Sequence, residues 1–192
     1  MISDANSAKQ ALRIEAKSLA RQLAAMDTSA ALKDCFLERF SGKPRTIGGF
    51  YPLSDEPNTL PLLSALHDRG WRIGLPVVAE DKPLCFHEWV PGDALGASNF
   101  GTAEPDAASP IVVPDIVLVP LLAFSDKGDR LGRGAGFYDR TLSELRAKRD
   151  VIAIGVAYTE QKLDFIPTDA HDQQMDAVLT EYGFEDFRKA DL

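Results

Sequence analysis

The chain has little cysteine. Among 192 residues there are two, Cys35 and Cys85. They form no CxxC pair and have no histidine at metal-ligand spacing, which argues against a structural zinc site. Both lie in apolar surroundings and read as reduced residues packed in a core. Long hydrophobic runs are also missing. The longest, residues 116–124, is interrupted by Pro120 and is far too short to cross a bilayer. The N-terminal stretch carries Asp4 and polar residues where a signal peptide needs a hydrophobic region, so no targeting segment is expected and the location expected is cytoplasmic. A basic excess is absent as well. Lys and Arg number 21 against 29 Asp and Glu, a net charge of −8, which excludes a general binder of nucleic acids or anionic membranes. Any anion must therefore be bound where the few cations are locally concentrated.

What remains is an ordinary soluble composition, 45% hydrophobic and 26% charged, on a chain long enough to bury a core without staples. No internal repeat or linker stands out, so residues 1–192 read as one domain. No unexplained apolar stripe forces assembly, so a monomer is expected. Residues 8–26 set Leu12, Ala16, Leu19 and Leu23 at helical spacing, with Lys9, Arg13, Lys17 and Arg21 as a basic stripe. Thr28 or Ser29 can cap a second helix carrying Leu32, Phe36 and Phe40 on one face. Strands are expected at 46–51, 72–78, 84–89, 116–119 and 151–158, with a short final one at 177–181. Helices are expected after Asn58 or Thr59 and from residues 137–139. The run Ile116-Val117-Leu118-Val119 has the composition of a strand buried on both faces. Strands alternating with helices predict an α/β fold, a three-layer α/β/α sandwich around a mostly parallel, Rossmann-like sheet.

The informative segment, residues 120–140, joins that buried strand to the following helix, the junction at which open α/β sheets bind ligands. Gly132, Gly134 and Gly136 alternate, so backbone N–H groups can approach a ligand closely. They precede a helix N-terminus, which attracts phosphate. Lys127, Arg130, Arg133 and Arg140 add positive charge, and Asp139 can offer a carboxylate to Mg²⁺. A Walker A loop fails because Ala135 follows Gly134. A GxGxxG from Gly132 and an EF-hand loop from Asp126 both fail at Phe137. Asp126 and Asp129 read as turn residues. A glycine-rich turn with a solvated charged rim is the plain alternative.

Residues 130–139 resemble the Arg-Leu-Gly-x-Gly-x-Gly-Tyr-Tyr-Asp hallmark of the 5-formyltetrahydrofolate cyclo-ligase (5,10-methenyltetrahydrofolate synthetase) family. The resemblance runs along nearly the whole chain. It includes Lys9-Gln-Ala-Leu-Arg13, Tyr51-Pro-Leu-Ser-Asp-Glu56 with Thr59, and Leu75-Pro76-Val77-Val78. It continues with Phe86 to Trp89, Phe100-Gly101 with Glu104-Pro105, and His171-Asp172 with Asp176. Phe137 stands where tyrosine is commoner, and Ala135 occupies a variable position.

The resemblance implies ATP-dependent closure of 5-formyltetrahydrofolate to 5,10-methenyltetrahydrofolate with release of ADP and phosphate, through a phosphorylated, imidate-type formyl group. Such chemistry asks for positioning and charge neutralisation more than for a protein nucleophile. By the same resemblance, Lys9, Arg13, Arg130, Leu131, Gly132, Arg133, Gly134, Ala135, Gly136, Phe137 and Tyr138 line the ATP site, with Arg130 and Arg133 catalytic. Tyr51, Glu56, Trp89, Phe137 and Tyr138 meet the folate. Glu56 can accept paired N–H donors from the pterin edge. Asp139 and Asp172 hold Mg²⁺. Phe86 is a further candidate to flank the pterin. Arg140 reads equally as a surface ion-pair residue, and His171 as structural. Two other readings use the same residues: an ATP-dependent enzyme acting on another formyl or amide substrate, and a ligand-binding module without turnover.

Overall fold

The structure is a computed structural model that describes residues 2–80, 82–98 and 101–188; Phe100 lies outside them. Its elements are α1 (Ile2–Leu23), α2 (Ser29–Arg39), β1 (Thr46–Gly48), α3 (Leu60–Asp68), β2 (Arg72–Val77), β3 (Cys85–Glu88), β4 (Gly96–Ala97) and β5 (Ala103–Glu104). Then come β6 (Ile116–Pro120), β7 (Ala123–Phe124), β8 (Arg130–Leu131), α4 (Phe137–Lys148), β9 (Ile152–Val156), β10 (Ala177–Thr180) and β11 (Gly183–Asp186). A 3₁₀ turn, Thr159–Gln161, follows β9.

Seven strands form one sheet in the order β11-β10-β9-β6-β1-β2-β3, parallel except for the antiparallel pairs at its two edges. The apolar run of β6 explains its central place. Ile116 and Leu118 face α2 and α3 with Ile47, Ile73, Phe36, Leu62 and Leu66. Val117 and Val119 face the opposite side with Ala153, Val178 and Leu142 of α4. Consecutive side chains thus fill both interfaces, which gives three layers. The expected fold class is the one observed.

Helix α1 stands apart from these layers. Its Leu12 and Ala16 pack on Leu122, Ala123, Leu131 and Ile166. That contact lays Lys9 and Arg13, one turn apart, over the glycine-rich loop. The chain runs outward from β1 to β2 and β3, then returns to β1's other side as β6. The crevice between the loops following β1 and β6 is therefore the topological switch point, where such sheets hold ligands.

Several local expectations are corrected. Residues 126–136 are more than a loop, because β7 and β8 pair as a two-stranded hairpin within residues 123–131. The strand at 177–180 is followed by another: β11 forms because its Phe184 packs 6.1 Å from the Phe36 ring and 5.9 Å from that of Phe40. Thr28 and Thr59 occupy helix N-cap positions without a side-chain cap bond. The Thr59 hydroxyl donates instead to the Phe50 carbonyl. Two aromatics expected at the pterin are core residues. Phe86 belongs to the α4 side and Trp89 to the α2–α3 side, buried to 6% exposure with its indole Nε1 unpartnered among the described residues.

Asp176 fastens the far end of the sheet. It accepts the Ala153 N–H (2.7 Å) and pairs with Arg146 (3.0 Å) and with Arg188 Nε (2.6 Å). Breaking a buried pair leaves uncompensated charge. Asp176→Asn should lower unfolding free energy by about 3 kcal/mol in urea titration; a loss below about 1 kcal/mol would remove Asp176 from this role.

Candidate functional site

The glycine-rich loop, α1 and residues 169–173 enclose a cavity of about 610 Å³, the size of a small-molecule site. Its wall carries Lys9, Arg13, Arg130, Arg133 and Arg140 against Asp139, Asp169 and Asp172. A chain of net charge −8 therefore has a locally cationic pocket.

Glycine is required where the loop turns into α4. Gly134 and Gly136 have φ of 108° and 67°, and Gly136 is the N-cap of α4. A Cβ on Gly132 would lie 2.9 Å from the Arg130 guanidinium. Arg13 packs over Gly134 and donates from Nε to the Gly132 carbonyl (2.9 Å). Helix α1 thus holds the loop by its backbone.

Two of the wall's cations pair with its three carboxylates. Lys9 Nζ meets Asp172 Oδ2 at 2.5 Å and Asp169 Oδ2 at 2.9 Å. Arg130 meets Asp139 Oδ1 at 2.7 Å, while its buried Nε has no partner among the described residues. Asp139 Oδ1 also accepts the Gln173 N–H, and Asp172 Oδ2 the Asp169 N–H. Asp139 and Asp172 therefore reach the same cavity from α4 and from the segment before β10. Among the described residues, no group of three or more His, Cys, Asp or Glu is placed to hold a metal. Arg140 lies 5.2 Å over the Phe137 ring, its Nε buried without a partner among the described residues.

The loop after β1 brings Glu56 to the crevice by folding tightly on itself. Glu56 N–H donates to the Leu53 carbonyl, and Leu53 N–H donates back to Glu56 Oε2 (2.9 Å). The other oxygen, Oε1, accepts Arg133 Nε at 2.9 Å. Arg133 Nη2 and Nη1 donate to Asp55 at 2.5 and 3.3 Å. Arg133 therefore lines the cavity with its guanidinium turned toward the β1 loop. Burial pushes the Glu56 carboxyl above its usual range, against the Leu53 N–H and Arg133, which draw it down. Burial, then the Glu56 charge, keep the Tyr138 hydroxyl neutral.

Of the expected residues, the structure gathers Lys9, Arg13, residues 130–139 and Asp172 around one cavity, with Glu56 joined to it through Arg133. Tyr51 stands in the β1 loop, its carbonyl accepting the Thr102 hydroxyl. Trp89 is not at the cavity. Sequence reasoning assigned no role to Asp55, Asp169 or Gln173. Asp55 adjoins Glu56, and Asp169 precedes Asp172 by one helical turn's spacing, but their partners are 78 and 160 residues away.

The model of the 5-formyltetrahydrofolate cyclo-ligase family matches residues 5–181. The chain belongs to that family. It is 42% identical over 145 residues to the 5-formyltetrahydrofolate cyclo-ligase of Mycolicibacterium smegmatis, covering 71% of this chain and 73% of the relative. The Haemophilus influenzae cyclo-ligase is 33% identical over 141 residues, covering 70% and 75%. Among solved structures, the 5,10-methenyltetrahydrofolate synthetase of Aquifex aeolicus matches 95% of this chain and 94% of its own, with TM-score 0.79 and 25% identity. That of Mycoplasma pneumoniae matches 90% and 98%, with TM-score 0.71 and 25% identity. The family match spans every residue of the cavity wall described above.

The Lys9 cluster ties α1 to the cyclo-ligase fold, and its pH dependence follows from its charges. Burial lowers the Lys9 pKa, but hydrogen bonds and charges from Asp172 and Asp169 together raise it above the usual lysine value. Asp169 lies below the usual aspartate value, first through Lys9 and then through the His171 N–H. The stabilisation is thus present below the ordinary lysine pKa and lost as pH rises through the raised one. It is present above the ordinary aspartate pKa and lost as pH falls through the lowered one. Lys9→Met should lower Tm by a constant amount across neutral pH, with the gap narrowing at both extremes. A gap independent of pH would show that the charges do not carry it.

Proposed function

We propose that this chain catalyses the ATP-dependent cyclisation of 5-formyltetrahydrofolate to 5,10-methenyltetrahydrofolate, releasing ADP and phosphate. The observation that carries the reading is the cationic cavity of Lys9, Arg13, Arg130 and the Gly132–Gly134–Gly136 backbone, adjoining a buried carboxylate, Glu56, across the switch point. Family membership supplies the substrate, since the relatives are named for that reaction.

In this reading the triphosphate lies along the glycine-rich loop at the N-terminus of α4. Lys9 and Arg130 exchange their aspartates for phosphate oxygens. The aspartates so released, Asp139 and Asp172, suit Mg²⁺, which takes carboxylate oxygens together with substrate phosphates and most of its remaining ligands from water. The bound ion supplies neutralisation of charge on the phosphates. Glu56 accepts N–H donors of the pterin edge, with Tyr51, Phe137 and Tyr138 beside it.

The formyl oxygen attacks the γ-phosphorus, and the bond to the ADP oxygen breaks. N10 then adds to the activated formyl carbon. Loss of its proton and departure of the former formyl oxygen with the phosphate close the methenyl ring. Arg133 stands between the two halves and neutralises the transferring phosphoryl group together with Arg130. No protein nucleophile is required. The Tyr138 hydroxyl remains a donor throughout, because burial keeps it protonated. The chain is read as a cytoplasmic monomer that takes no nucleic acid; among its described residues no helix is long and apolar enough to cross a membrane.

Purified protein with 5-formyltetrahydrofolate and MgATP should generate the near-UV absorbance of the methenyl chromophore, and none without ATP. Asp139→Ala should keep the fold and lose turnover at least about a hundredfold; wild-type turnover would remove Asp139 from the site. Because the Glu56 pKa is raised, its anionic form is lost at higher pH than a free glutamate's. The KM for the folate should therefore rise on acidification. Glu56→Gln should raise that KM at neutral pH and flatten the acid limb, whereas an unchanged KM would place the pterin elsewhere.

A further inference from the structure

A pterin edge reaching Glu56 meets a carboxylate that is 5% exposed and already engaged at both oxygens. Leu53 N–H holds Oε2, and Arg133 Nε holds Oε1. The first bond belongs to the turn that positions the residue. The second is the one an incoming donor can replace, and a displaced guanidinium needs another place for its charge. Asp55 provides it. Its two oxygens already accept Nη2 and Nη1 of the same guanidinium, the two-pronged geometry in which arginine binds carboxylate most firmly. The Asp55 side chain is 14% exposed and that of Glu56 5%. A buried and a partly buried carboxylate thus share one cation, leaving one negative charge that suits a ligand rich in N–H donors.

From this we infer that Asp55 is a positioning residue for folate binding: it retains Arg133 when the pterin takes Glu56. The inference rests on the function proposed above. With Asp55 in place, Arg133 loses one hydrogen bond and stays at the cavity wall. Without it, Arg133 is left with Glu56 as its acidic partner and competes with the folate for that carboxylate. Asp55 touches neither the cavity nor the proposed substrate directly, so its effect passes through Arg133.

The test is the equilibrium affinity for 5-formyltetrahydrofolate without nucleotide, measured calorimetrically on the parent, Asp55→Asn, Arg133→Met and the double variant. Asp55→Asn should weaken binding about tenfold, the worth of a charged hydrogen bond. Arg133→Met should bind at least as tightly as the parent, because the competitor is gone. In the double variant binding should return to the parent level, and Asp55→Glu should keep most of it. A residue that merely supports the loop would not be rescued by a second substitution. If the double variant binds no better than Asp55→Asn, the inference is overturned while the proposed function stands. If the parent binds MgATP but no reduced folate, the proposed function is overturned and the inference with it. Matching melting curves among the variants keep loss of fold from imitating loss of affinity.

Discussion

One guanidinium joins the two halves of this molecule's crevice. Arg133 comes from the glycine-rich loop between β8 and α4, in the connection that leaves β6, and Asp55 and Glu56 come from the loop after β1. Those loops leave neighbouring parallel strands at the place where the connections diverge. Sheet topology alone would give a cleft there. The shared arginine makes it a coupled site, because whatever engages Glu56 changes what Arg133 can do. Burial sharpens the coupling: Arg133 keeps its charge, and Glu56 is pushed toward protonation by the desolvation that Arg133 offsets.

The same economy of charge governs the cavity. An acidic chain presents a positive pocket by gathering its cations and tying two of them, Lys9 and Arg130, to aspartates that also face the pocket. Lys9 with Asp172 and Arg130 with Asp139 satisfy one another in the free protein. Under the proposed reading Lys9 and Arg130 would take the phosphates of a bound nucleotide, and Asp139 and Asp172 would be left to hold Mg²⁺. Charges held ready cost less to reorganise than charges recruited from solvent. The lone buried Nε of Arg130 fits a site made for an anion.

Much of the fold could be read from the sequence because its signals are local. The β6 run announces burial on both faces, and the spacing of Leu12, Ala16 and Leu19 announces a helix. The β7–β8 hairpin escaped because two-residue strands carry no periodicity. Strand β11 escaped because what holds it, Phe184 on α2 and Asp186 with Arg39, joins residues far apart in sequence. The candidate site divides in the same way. Gly134 and Gly136 are legible, since positive φ before a helix needs glycine. Trp89 packs in the core on the α2–α3 side, and an aromatic ring beside a turn looks the same in sequence whether it packs in a core or meets a ligand. The bonds Arg133–Asp55 and Lys9–Asp172 join residues 78 and 163 positions apart, and no local pattern reports them.

The central claim is that the triphosphate and the pterin meet at Arg133. A crystal structure with 5-formyltetrahydrofolate and a non-hydrolysable ATP analogue tests it most directly. The account predicts the γ-phosphate beside Arg130 and Arg133, the pterin on Glu56 Oε1, and Arg133 still bound to Asp55. A pterin bound away from Glu56, with the Arg133–Glu56 pair intact and no phosphate within reach of Arg133, would contradict it.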